Sequence, residues 1–215
     1  MVGMLARKEM LSDTIIDFAV SCICDALEGC YALDTYLTTF SCPDPPQKRI
    51  PSTHYVVLPV HLSNIHWGVI IVSIPYQTEP PAITPYFYES LWDPRFYRAT
   101  IEDTYEGTVA PFLLCWHEKT MTGVEYPVVE NGVWLDAPRQ PDGTSCGVMV
   151  IAQAYCMLKD NFRFTKTTVS DDDVAVMRLR NMWMVLMQPE VNTVANQVAK
   201  ALDATDLELM TTVTT

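Results

Sequence analysis

Apolar residues in the first part of the chain recur at helical spacing, with Leu11, Ile15, Phe18, Ala19, Cys22, Ile23 and Ala26 on one face. That pattern predicts a helix over residues 11–29, with Ser12 as its N-cap and Gly29 as its stop. A second helical stretch is expected from Tyr31 to Phe40, ending before the turn Pro43-Asp44-Pro45-Pro46. The period then changes. Tyr55–Val60 reads as a short buried strand, and Leu62-Ser63-Asn64-Ile65 as a polar turn. His66–Ile74 is apolar on both faces, the mark of a central strand. Pro80-Pro81 punctuates a loop before a third strand over Pro85–Leu91. Residues 100–118 return to helical spacing through Ile101, Tyr105, Val109, Phe112, Leu113 and Trp116, with Pro111 expected to kink or interrupt them. Tyr126–Val129 and Val133–Leu135 flank Asn131-Gly132 and predict a hairpin. Cys146–Leu158 is an almost wholly apolar core helix. Ser170 and Asp171–Asp173 open another, whose apolar face runs through Val174, Met177, Met182, Val185 and Leu186. A weaker helix is expected to reach Leu209 before a Thr-rich tail. Helices, then a mixed or antiparallel sheet, then helices again give an α+β fold.

Composition narrows the picture. The 215 residues suit one domain over 1–215, with a core of about 10–188 and a C-terminal helix and tail over 189–215. Hydrophobic residues make up 49% and charged ones 19%, enough for a sizeable core. The net charge of -12 argues against a nucleic acid or an anionic membrane as partner and tolerates a basic peptide or protein. Seven cysteines, an odd count spread through apolar segments, suggest reduced thiols in the nucleus or cytoplasm. The first twenty residues carry no signal-peptide pattern, and no apolar run reaches the roughly eighteen residues of a membrane span.

Chemistry concentrates in Gln140-Pro-Asp-Gly-Thr-Ser-Cys146-Gly147. Cys146 opens a helix, where unsatisfied backbone amides favour a thiolate, and Gly143 and Gly147 flank it with little bulk, which leaves room for a substrate backbone. Gln140 lies six residues upstream, an amide donor for an oxyanion beside the Cys146 N–H. Of His54, His61, His66 and His117, His66 is the candidate base, because it begins the most buried strand next to Trp67. Glu89, near the end of the following strand, would orient that imidazole; Asp93, four residues on, is its rival. Cys22, Cys24, Cys30 and Cys42 match no regular zinc spacing, and neither a metal nor a cofactor is expected.

Together these residues resemble the ubiquitin-like protein proteases, the SUMO or sentrin proteases related to adenovirus-type cysteine proteases. The resemblance rests on His66-Trp67 opening a strand, an acid before Ser90-Leu91, and Gln140-x5-Cys146-Gly147. Leu11-Ser12-Asp13-Thr14-Ile15-Ile16, Val57-Leu58-Pro59-Val60 and the helix bearing Arg178 extend it over about residues 10–188. It implies a papain-like, adenain-like fold and cleavage after the Gly-Gly tail of a ubiquitin-like modifier, free or conjugated. It assigns Cys146 as nucleophile, His66 as base, Glu89 as third member and Gln140 as oxyanion donor, with Trp67, Met10, Asp13 and Gly147 binding substrate. Three positions depart from the usual pattern. Glu89 stands for the Asp of cellular members, Ser145 for an Asp before the nucleophile, and Met10 for a Trp over the Gly-Gly channel. Two other classes share parts of the pattern: effector acetyltransferases with a His-Glu-Cys set, and inactive relatives that bind a modifier without cutting it. The former depend on a basic patch for an inositol phosphate, which a chain at -12 is poorly placed to supply.

Overall fold

A computed structural model describes residues 2–38, 44–63, 65–91, 96–159, 164 and 168–187. Its spine is an antiparallel trio of strands: β2 (Tyr55–Leu62), β3 (His66–Ser73) and β4 (Ala82–Glu89). On one side β1 (Cys30–Ala32) joins β2 in parallel. At the other, β5 (Val128–Val129) and β6 (Val133–Trp134) both join β4 in parallel, so the sheet is mixed. β3 is buried on both faces, as its unbroken apolar run requires. Trp67, Val69 and Ile71 pack with α2 (Asp13–Ala26), α5 (Cys146–Leu158) and α6 (Asp171–Met187), while Ile70 and Val72 face α3 (Tyr97–Thr104) and α4 (Ala110–Thr120). A short α1 (Val2–Ala6) packs on α6. Among the described residues no helix is long and apolar enough to cross a membrane.

Two local expectations are corrected, and a third is located. The helix expected over Tyr31–Phe40 is instead β1 followed by a 3-10 turn at Thr35–Thr38, with residues 39–43 outside the described set. Pairing with β2 overrides helical spacing here, and Asp17 on α2 holds the turn by accepting from the Thr35 N–H (3.1 Å) and Oγ1 (2.6 Å). The hairpin at Asn131-Gly132 does not form, because β5 and β6 pair with β4 and not with each other. Gly132 answers a packing need: a Cβ there would lie 2.2 Å from Phe87 Cε2. The interruption expected at Pro111 lies just ahead of it. A π turn over Tyr105–Val109 takes up the disruption, and the helix resumes as α4 with Pro111 in its first turn.

Ser12 does occupy the N-cap of α2, though its side chain makes no cap bond, and Gly29 supplies the positive φ (79°) that turns the chain into β1. Ahead of α6, Ser170 and Asp173 bond reciprocally. The stretch expected to be helical up to Leu209 lies outside the described residues beyond Met187.

Candidate active site

β-sheet register brings the first two candidate groups together. Glu89 pairs with Gly68, so it shares a face with Gly68 and His66 but sits one diagonal step from His66. That diagonal is about 7–8 Å between backbones, and the glutamate side chain spans it. Glu89 Oε2 lies 3.1 Å from His66 Nε2, with both side chains almost fully buried (1% and 2% exposed). The same oxygen accepts the Leu91 backbone N–H at 2.9 Å. A carboxylate so placed makes Nε2 the protonated nitrogen of the ring and leaves Nδ1 for another partner. The Cys146 thiol lies within interaction range of the ring. Burial works to lower the pKa of His66, but the hydrogen bonds and negative charges of Cys146 and Glu89 outweigh it and hold the pKa above the ordinary imidazole value. Tyr97, at the start of α3, lies against the imidazole with ring centroids 4.8 Å apart. Asp93, the rival acid, lies outside the described residues.

β4 also positions the loop that delivers the thiol, because its side chains alternate. While Glu89 turns to His66, Tyr88 donates its hydroxyl to Pro138 O (2.6 Å) and Ser90 donates to Gln140 Oε1 (2.6 Å). The Gln140 backbone N–H closes on Ser90 O at 3.1 Å. With its oxygen held by Ser90, Gln140 turns its amide nitrogen towards the loop that leads into Cys146 and donates to Asp142 O at 2.5 Å. Asp142 Oδ1 then gathers the Thr144 N–H (2.8 Å), the Ser145 N–H (2.8 Å) and the Ser145 hydroxyl (2.6 Å). Burial alone would raise the Asp142 carboxyl, but these bonds hold it below the usual value. Cys146 follows as the first residue of α5, buried at 1% exposure. Burial pushes the Cys24 thiol up to about 12 and raises Cys156 as well, which disfavours the thiolate at both.

The expected substrate-binding residues lie on β3, on α5 and at the start of α2. A Cβ on Gly147 would lie 2.8 Å from Ile16 Cδ1 and 3.1 Å from Leu11 Cβ, so close packing of α5 on these two residues is itself a reason for glycine there. Gly143 has open space around it. Trp67 is buried (2% exposed), its indole N–H bonded to Leu11 O at 3.1 Å and one ring face covered by His61 at 4.2 Å and 6°. Half-buried Met10 packs against the same core. Asp13 accepts from the Tyr36 hydroxyl (2.7 Å) and from Thr14, which hold its carboxyl below the usual value. Tyr97 and Asp142 went unmarked in the sequence, and Ser90 entered only as part of the resemblance; the ring contact and the loop's hydrogen bonds single them out. Among the described residues no group of three His, Cys, Asp or Glu side chains is placed to hold a metal ion.

A mixed sheet between helical layers, with a helix-start thiol against its end, is the architecture of the papain-like and adenain-like cysteine peptidases. A model of the Ulp1 protease family, C-terminal catalytic domain, matches residues 9–190. The chain belongs to that family of cysteine peptidases. No curated protein matches it. Solved structures do. The C-terminal Ulp1 protease domain in complex with Smt3, the yeast ortholog of SUMO, is 16% identical with a TM-score of 0.60, covering 89% of this chain and 82% of that one. A Chaetomium thermophilum Ulp1-like SUMO protease catalytic domain is 18% identical with a TM-score of 0.56, covering 88% and 79%. The Xanthomonas campestris effector XopD, bound to ubiquitin, is 20% identical with a TM-score of 0.50, covering 81% and 91%. At such identities the likeness is one of fold.

Proposed function

We propose that this peptidase cleaves after the C-terminal Gly-Gly of a ubiquitin-like modifier of the SUMO type, in a precursor or a conjugate, through Cys146, His66 and Glu89. The observation that carries the reading is the buried His66–Glu89 pair at 3.1 Å, with the Cys146 thiol within interaction range of the imidazole. The substrate class draws on membership of the Ulp1 protease family and on fold neighbours solved with Smt3 and with ubiquitin.

Proton transfer from Cys146 to His66 gives a thiolate and an imidazolium, the latter stabilised by Glu89. The thiolate attacks the terminal glycine carbonyl. The resulting oxyanion is met by the Cys146 backbone N–H, at the positive end of α5, and by the Gln140 amide nitrogen. His66 then protonates the departing amine, leaving a thioester. A water that gives its proton to His66 attacks this thioester, releasing the glycine carboxylate and the thiol.

The test is a SUMO precursor extended beyond its Gly-Gly, with the product mass read after incubation. A product ending in Gly-Gly from the wild type and none from Cys146→Ala is expected; no cleavage of SUMO or ubiquitin precursors by folded protein would overturn the reading. In the same assay Gln140→Ala should lose about 10²–10³ in kcat, the usual effect of removing one oxyanion donor. A loss below tenfold would take Gln140 out of that role.

A further inference from the structure

Arg178 lies two turns into α6 and is buried at 5% exposure, a placement that is costly for a guanidinium unless it has work for its donors. Its Nη2 donates to two carbonyls on segments remote in sequence. One is Glu9 O at 2.8 Å, in the link between α1 and α2. The other is Thr144 O at 3.4 Å, two residues before Cys146. Arg178 and Asp142 also line the same cavity of about 260 Å³ between α6 and residues Leu5–Lys8, and the guanidinium lies within electrostatic reach of the Asp142 carboxylate and of Cys146. The turn from Asp142 to Cys146 is thus held from two sides: by Ser90 through Gln140 from the sheet, and by Arg178 from α6.

We propose that Arg178 is a positioning residue for the thiol: by holding the Thr144 carbonyl from α6, it sets the turn that presents Cys146 to His66. It acts on the sulfur through that turn and through its charge, not by touching the reacting atoms. The proposal rests on Cys146 being the reactive thiol of the proposed peptidase. It also ties the N-terminal segment at Glu9 to the same clamp, so loosening either end should be felt at the sulfur.

The test is the rate of Cys146 alkylation by iodoacetamide as a function of pH, in the full chain, with the modified peptide identified by mass spectrometry. Arg178→Gln should slow alkylation at pH 7 about tenfold, the size of one charge-assisted hydrogen bond, and move the pH midpoint upward as a positive charge is lost near the thiolate. The exposed Cys115, alkylated in the same sample, should react at an unchanged rate. Arg178→Lys keeps the charge, so it should preserve the midpoint while losing part of the rate; if the glutamine variant does not fold, a preserved rate in the lysine variant would overturn the role. Asp142→Asn should slow alkylation, and its effect should not add to that of Arg178→Gln, since both act on one turn. A lowered melting temperature with Cys146 reactivity and midpoint unchanged would make Arg178 purely structural and overturn the proposal. Alkylation needs no substrate, so failure of the peptidase reading would appear separately, as an absence of modifier cleavage by protein whose thiol still responds to Arg178.

Discussion

Alanine at His66 should abolish turnover, while alanine at His61 should leave most of it. The two imidazoles lie on neighbouring strands five residues apart in sequence, yet their surroundings differ in kind. His66 is 1% exposed and bonds Glu89, and Cys146 and Glu89 raise its pKa against the pull of burial. His61 is exposed, and its ring lies flat on Trp67. Loss of a general base alone costs about 10²–10⁴ in rate, and the thiol would also lose the acceptor for its proton. Removing His66 leaves Glu89 buried without its partner, a cost on the order of 3–5 kcal/mol, so His66→Gln should be run alongside as the better-folded variant. Steady-state kinetics on a SUMO-type precursor, normalised to folded protein, reads the result. Equal losses from His61→Ala and His66→Ala would remove His66 from the role of base.

Glu89 carries the second large effect. Glu89→Gln keeps the shape of the side chain but removes the charge that stabilises the imidazolium, and a glutamine can hold the ring in the wrong tautomer. The loss in kcat should be large, up to about 10⁴ where such a carboxylate orients a base. The pH profile gives the sign. Since Glu89 is one of the groups that hold the pKa of His66 up, its neutralisation should lower that pKa and move the alkaline limb of kcat/KM to lower pH. Glu89→Asp is informative in a different way. Glu89 faces Gly68 and reaches diagonally to His66, so shortening it by about 1.5 Å would stretch the 3.1 Å contact beyond hydrogen-bond range. Aspartate should therefore behave more like glutamine than like the wild type. An upward shift of the alkaline limb in Glu89→Gln, or full activity in Glu89→Asp, would contradict this geometry.

Much of the frame was legible in the chain. β3 announced itself because both of its faces are apolar, and α5 because thirteen residues in a row are nearly all apolar and begin with the thiol. What the sequence hid was decided by partners distant in the chain. Cys30–Ala32 carries helical spacing, and only the neighbouring β2 makes it a strand. Asn131-Gly132 reads as a hairpin turn, yet its glycine answers to the ring of Phe87. The reach of Glu89 to His66 depends on which residue of β3 it opposes, and register is not written in the composition of either strand. The stacking of His61 on Trp67 has the same origin, since the two are cross-strand partners. Arg178 belonged to the family resemblance as a residue, but its contacts to Glu9 and Thr144 exist only once α6 packs beside the N-terminal segment.

The central claim is that Cys146 attacks the carbonyl that ends a ubiquitin-like modifier. The most direct measurement is labelling by modifiers that carry an electrophile at the C-terminus, with SUMO and ubiquitin forms run in parallel and the adduct mapped by mass spectrometry. A single adduct on Cys146 with the SUMO probe, absent in Cys146→Ala, is the result expected. Folded protein that no modifier probe labels, or an adduct on another cysteine, would contradict the account.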